Sequence, residues 1–138
     1  MQGTQPTTNK QRVSAGAPLA VLLVVDSAPL LLRMKDIVQS TPGLRLAAAF
    51  TDGAQAIDWL LWDRQGFHLA FVDLGLQQGN WQELAARLNA QARAGTLVAL
   101  GDHLWRETRE LCKAHGIPHL LEKGDVVAFR DFLETQTR

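Results

Sequence analysis

The sequence predicts an α/β fold: a doubly wound, five-stranded parallel sheet with helices on both faces. Two observations carry this. Short, continuously apolar runs alternate with segments of three-to-four apolar spacing, and the units recur roughly every 20 to 25 residues. A run that is apolar throughout, rather than at every second position, suits a strand buried on both faces. Right-handed crossovers between such strands build a layered sandwich.

The first run is Leu19–Val25, and Leu44–Phe50, Phe67–Val72, Thr96–Leu100 and the weaker Pro118–Leu121 follow. Between them lie five stripes. Leu30, Met34, Ile37 and Val38 form the first, and Ala56, Ile57, Leu60 and Leu61 the second. Trp81, Leu84, Ala85 and Leu88 form the third, and Leu104, Thr108, Leu111 and Cys112 the fourth. Val126, Phe129 and Leu133 form the last. Pro29 suits a first helical turn, whereas Pro42-Gly43 and Gly116 suit helix ends. Residues 1–18 are polar and aperiodic, which predicts a disordered tail before a domain over 19–138.

Composition narrows the function classes. The 14 basic and 14 acidic residues balance, and from residue 19 onward acids slightly outnumber bases. Bulk charge therefore argues against a nucleic-acid or anionic-membrane partner. No apolar run reaches the roughly 18 residues of a membrane span. The N-terminus lacks the apolar centre of a signal peptide, and Cys112 is the only cysteine, so the expected location is a reducing cytoplasm.

In a doubly wound sheet, ligands bind beyond the carboxyl ends of the strands, where the strand order reverses. Asp26 and Ser27 follow the first run, Asp73 and Gly75 the third, Gly101 and Asp102 the fourth, and Glu122 and Lys123 the fifth. An Asp after a strand can also cap the next helix, and Ser27 offers a cap that frees Asp26. A lone lysine such as Lys123 is ordinarily solvated. Jointly, two carboxylates and an ammonium at three strand ends suit a hard divalent cation such as Mg²⁺. They equally suit a carboxylate that accepts a phosphoryl group as an acyl phosphate.

The residues from Leu19 to Leu133 resemble a response-regulator receiver domain, the phosphoacceptor module of two-component signalling. The resemblance rests on Val21–Leu30 with Asp26, Phe50–Ile57 with its Asp52-Gly53, Leu69–Leu74 with Asp73, and Leu120–Lys123, in the family's order and spacing. It implies the flavodoxin-like strand order 2-1-3-4-5. It further implies Asp73 as phosphoacceptor, Lys123 as the ammonium that steadies the phosphoryl group, and Asp26, Asp73 and the Gly75 carbonyl as ligands of Mg²⁺. The implied partners are a histidine kinase or phosphotransfer protein and a downstream protein, and the resemblance admits a homodimer. A receiver is a phosphoacceptor and not an enzyme beyond its own phosphoryl transfer. With no further domain after Arg138, the expected output is protein–protein contact through the fourth helix, fifth strand and fifth helix. The chain is equally readable as a receiver excised from a longer regulator.

The departures from the family pattern are specific. Ser27 replaces the second acid of the metal-binding pair, which predicts weaker Mg²⁺ binding. Gly101 replaces the Ser or Thr that bonds the phosphoryl group, and Leu120 replaces the aromatic residue that moves with it. Leu76-Gln77-Gln78 stands in place of Met-Pro-Gly, and Asn80-Trp81 in place of Asp-Gly. Two readings follow: a receiver with atypical switching, or a phosphorylation-independent pseudo-receiver that binds proteins constitutively. Asp102 reads as a cap of the fourth helix or as a partial substitute at the site, and Trp81 and Trp105 as core or as the site's rim.

Other signals lead nowhere. Neither phosphate-binding glycine loop is present, and Gly75 occupies the place of the second aspartate of haloacid-dehalogenase phosphatases. Gly116 and Pro118 interrupt any helix that would align His115 and His119 on zinc. Cys112 reads as core, and Arg106, Arg109 and Lys113, interleaved with Glu107 and Glu110, as a solvated face.

Overall fold

The computed structural model describes residues 17–62, 66–77, 80–91 and 95–138. The tail expected over 1–18 lies almost wholly outside these residues. Strands and helices alternate through the chain: β1 (Leu19–Val24), α1 (Ala28–Ser40), β2 (Leu44–Phe50), α2 (Gly53–Trp62), β3 (Leu69–Asp73), α3 (Trp81–Asn89), β4 (Thr96–Gly101), α4 (Arg106–Ala114), β5 (His119–Glu122) and α5 (Val126–Gln136). All pairings are parallel and the order is β2-β1-β3-β4-β5, as expected.

Alternation along β1 divides the core between two layers. Leu22 and Val24 pack with Ala56, Leu60, Leu84, Leu88 and Cys112 beneath α2, α3 and α4. Val21, Leu23 and Val25 pack with Met34, Val38, Phe129 and Leu133 beneath α1 and α5. Phe71 meets Phe129 edge-on at 4.9 Å in the second layer. Each fully buried aliphatic side chain contributes about 1.5–3 kcal/mol, so these two layers hold the strand ends in fixed relation. In β2 one extra residue, Ala47, falls between Leu46 (opposite Val21) and Ala48 (opposite Leu22).

Helix starts have local causes. The Ser27 hydroxyl accepts from the Leu30 amide at α1, Asp52 from Gln55 at α2, Asn80 from Glu83 at α3 and Asp125 from Ala128 at α5. Helix α4 differs: Trp105 stands at its N-cap and provides no side-chain acceptor. At its other end Gly116 has φ of 79°. The Gly116 amide donates to Lys113 and the Ile117 amide to Cys112, a Schellman closure that requires left-handed backbone at Gly116.

The third and fifth stripes are buried as expected, apart from a half-buried Val126. In the first, Leu31 is buried while Leu30 sits half-buried against the same layer. In the second, Leu61 is exposed. The fourth stripe needs a larger correction. Leu104 precedes α4, Leu104 and Leu111 are exposed, Thr108 is half-buried, and only Cys112 belongs to the core. Among the described residues, no helix is long and apolar enough to cross a membrane.

Candidate functional site

Strands β1 and β3 are neighbours and β5 lies one strand beyond, across β4, and the exits of these three strands bring Asp26, Asp73 and Lys123 into contact. Asp73 is the last residue of β3 and is 0% exposed. A buried carboxylate must be paired and hydrogen-bonded, or its desolvation would outweigh what holds it there. Lys123 Nζ lies 2.8 Å from Asp73 Oδ2 and 2.8 Å from Asp26 Oδ1. The Asp26 amide donates to Asp73 Oδ2 at 3.1 Å, and the Gly75 amide to Asp73 Oδ1 at 2.8 Å. One ammonium thus bridges two carboxylates, with the side chains of Lys123 and Asp26 20% and 34% exposed.

The electrostatics follow. The bond to Lys123 lowers the Asp26 pKa, which burial alone would raise. Burial works against the Lys123 charge, but the bonds to Asp26 and Asp73 outweigh it and raise its pKa. The three residues carry one net negative charge, so the site remains attractive to a cation.

Gly75 lies close against these three side chains. A Cβ there would lie 3.2 Å from Asp73 Oδ1, 3.6 Å from Asp26 Oδ2 and 3.6 Å from Lys123 Nζ. The space over its Cα is therefore a cradle bounded by two carboxylate oxygens and an ammonium. Mg²⁺ commonly takes one or two carboxylates and fills its octahedron with water and phosphate oxygens. Asp26 and Asp73 meet that requirement. Ser27 adds no charge, and its hydroxyl caps α1 at 3.4 Å from the Leu30 amide. Among the described residues no group of three or more His, Cys, Asp or Glu side chains is arranged to hold a metal.

On the β4 side, the main chain is tied tightly. The Leu74 amide donates to Leu100 at 2.9 Å and the Lys123 amide to Gly101 at 2.8 Å. A Cβ on Gly101 would stand 3.3 Å from a methyl of Leu120 and 3.3 Å from one of Leu74. Hydrocarbon thus crowds the place where a side-chain hydroxyl would project. An open pocket of about 180 Å³ runs from Asp73 and Gly75 past Gly101 and Asp102 to Trp105 and Thr108.

The rim residues separate. Trp105 is 61% exposed and stacks on His103 with ring centroids 4.3 Å apart. Trp81 is buried in the α2–α3–α4 layer and meets His115 edge-on, so it is core. Asp102 is exposed and does not cap α4, which begins four residues later. Sequence reasoning placed Thr108 on an apolar stripe and missed its position on this pocket, because its helix enters at a phase set by the preceding loop. His115 ends α4 and His119 opens β5, so they share no helix face.

No protein-family model and no curated protein matches the sequence. Solved structures match its fold. The response regulator domain of Thermotoga maritima CheB superposes with a TM-score of 0.72 at 17% identity, over 88% of this chain and 94% of that one. A CheY-like receiver domain from Methylobacillus flagellatus gives 0.67 at 20% identity, over 86% and 98%. A chain of the CheX–CheY–BeF3–Mg²⁺ complex from Borrelia burgdorferi gives 0.73 at 15%, over 88% and 92%. The chain has the flavodoxin-like fold of response-regulator receiver domains.

Proposed function

We propose that this chain is a two-component receiver that accepts a phosphoryl group on Asp73 and signals through protein contacts. The observation that carries the reading is the Asp26–Lys123–Asp73 triad above the Gly75 cradle, at the strand ends where this fold places ligands. Within the triad the two Asp73 oxygens differ. Oδ2 accepts from Lys123 and the Asp26 amide, whereas Oδ1 accepts from the Gly75 amide and borders the cradle. Oδ1 is therefore the better nucleophile. Its attack on phosphorus forms the P–O bond as the P–N bond of a phosphohistidine donor breaks, and the imidazole leaves with a proton.

Lys123 stands where it can pair with the phosphoryl oxygens, and moving it off Asp73 is part of admitting the group. Asp26, Asp73 and the Gly75 carbonyl would hold Mg²⁺, which when bound offsets the charge of the incoming phosphoryl group. With Ser27 in place of an acid, that binding is weak. The partners that fit are a histidine kinase or phosphotransfer protein and a downstream protein. No catalytic machinery beyond the chain's own phosphoryl transfer is assigned.

The crowding of Gly101 by Leu74 and Leu120 favours a second reading, a pseudo-receiver whose binding is constitutive. Titration with Mg²⁺ and beryllofluoride, followed by amide NMR in the wild type and Asp73→Asn, separates the two. Saturable shifts around Asp73 that vanish in Asp73→Asn support the acceptor. A silent spectrum at millimolar Mg²⁺ supports the pseudo-receiver.

A further inference from the structure

Resting on the phosphoacceptor reading, we propose that Thr108 supplies the hydroxyl that engages the phosphoryl group on Asp73, drawing the start of α4 toward the site. Gly101 has no side chain, and the space beside it is bounded by methyls of Leu120 and Leu74, so no hydroxyl can act from the end of β4. Of the described residues lining the pocket over Asp73, Thr108 alone bears a hydroxyl. It is half-buried in the first turn of α4, and among the described residues its side chain makes no hydrogen bond.

The approach to Thr108 is also unencumbered. Helix α4 has no side-chain cap, so its first amides are available alongside the hydroxyl. The connection from Asp102 to Leu104 has no main-chain hydrogen bond among the described residues, and within it His103 stacks on Trp105. In contrast, Gly101 at its base is fixed by the Lys123 amide at 2.8 Å. The geometry is that of a short arm after Gly101, bearing at the far side of the pocket a hydroxyl with no protein hydrogen-bond partner among the described residues. A phosphoryl group on Asp73 would present acceptor oxygens into that pocket, and closing the arm brings the Thr108 hydroxyl to them.

The test compares wild type, Thr108→Val and Thr108→Ser, titrated with beryllofluoride in saturating Mg²⁺ and followed by amide NMR. Thr108→Val is nearly isosteric, and its unfolding midpoint and spectral dispersion serve as controls. The expected result is roughly tenfold weaker binding in Thr108→Val, in line with one hydrogen bond to a charged group. Shifts at Arg106–Arg109 should be lost while those around Asp73 persist, and Thr108→Ser should restore both. If the wild type responds and Thr108→Val matches it in affinity and in α4 shifts, the proposal is wrong and the acceptor reading stands. If the wild type shows no Asp73-dependent response, both are wrong.

Discussion

Replacing Lys123 with methionine keeps the aliphatic stem and removes the charge that neutralises a carboxylate with 0% exposure. At 2.8 Å and an effective dielectric constant near 20, the bare attraction to Asp73 is about 6 kcal/mol. Desolvation of the ammonium offsets part of this, and the 20% exposure of Lys123 screens more. The contact with the more exposed Asp26 adds at most about 1 kcal/mol. Breaking a buried pair commonly costs 3–5 kcal/mol, and with the two amide donors to Asp73 retained we expect about 3 kcal/mol. For a chain of this size that lowers the unfolding midpoint by roughly 10 °C. The pH dependence provides a second check. A raised Lys123 pKa stabilises the fold below the ordinary lysine value, and that contribution is lost as pH rises through the folded value. A lowered Asp26 pKa stabilises above the ordinary carboxylate value and is lost as pH falls through the folded value. The gap between wild type and Lys123→Met should therefore be widest between roughly pH 5 and pH 10 and narrow at both ends. Urea unfolding across that range measures it, and Asp73→Asn/Lys123→Met should recover most of the loss because neither partner is left orphaned. A Lys123→Met protein within about 0.5 kcal/mol of wild type at pH 7, with an unchanged pH profile, would refute the claim that this bridge holds Asp73 in place.

Two further substitutions address the site and the fold. Ser27→Asp keeps a good cap for α1 and returns a second acid beside Asp26. Mg²⁺ alone, titrated by calorimetry, should bind about tenfold more tightly than to wild type, and equal affinities would mean that Ser27 is not what weakens the site. Gly116→Ala places a Cβ against the Asn89 amide group at a φ of 79°, where Asn89 Nδ2 donates to the His115 carbonyl at 3.1 Å. Left-handed strain and the displaced bond together should cost about 2 kcal/mol in chemical denaturation; a neutral result would show that the turn after α4 tolerates an ordinary backbone.

The sheet and the meeting of Asp26, Asp73 and Lys123 were legible in the sequence for one reason: strand ends in this topology converge, so these residues needed only to follow apolar runs to meet. What escaped sequence reasoning was set by phase and by neighbours. Leu104 and Leu111 have helical spacing, but α4 starts two residues after Leu104 and turns only Cys112 inward. Trp81 and Trp105 are indistinguishable by residue type, yet α3 carries one into the core and an uncapped loop end leaves the other exposed. Asp102 lies too far before Arg106 to cap it. The filling of the Gly101 side by Leu74 and Leu120 is a tertiary contact that no local pattern encodes.

Strand β5 is four residues long and lies at the edge of the sheet, held along one side only by β4. It is the shortest of the five strands, and Lys123, the residue that follows it, is anchored twice: by its amide to Gly101 and by its ammonium to the two carboxylates. A lever is thereby attached to the shortest beam in the frame. Any event that takes the ammonium off both carboxylates leaves Lys123 with its amide bond to Gly101, and the amides of this short strand should then exchange with solvent faster.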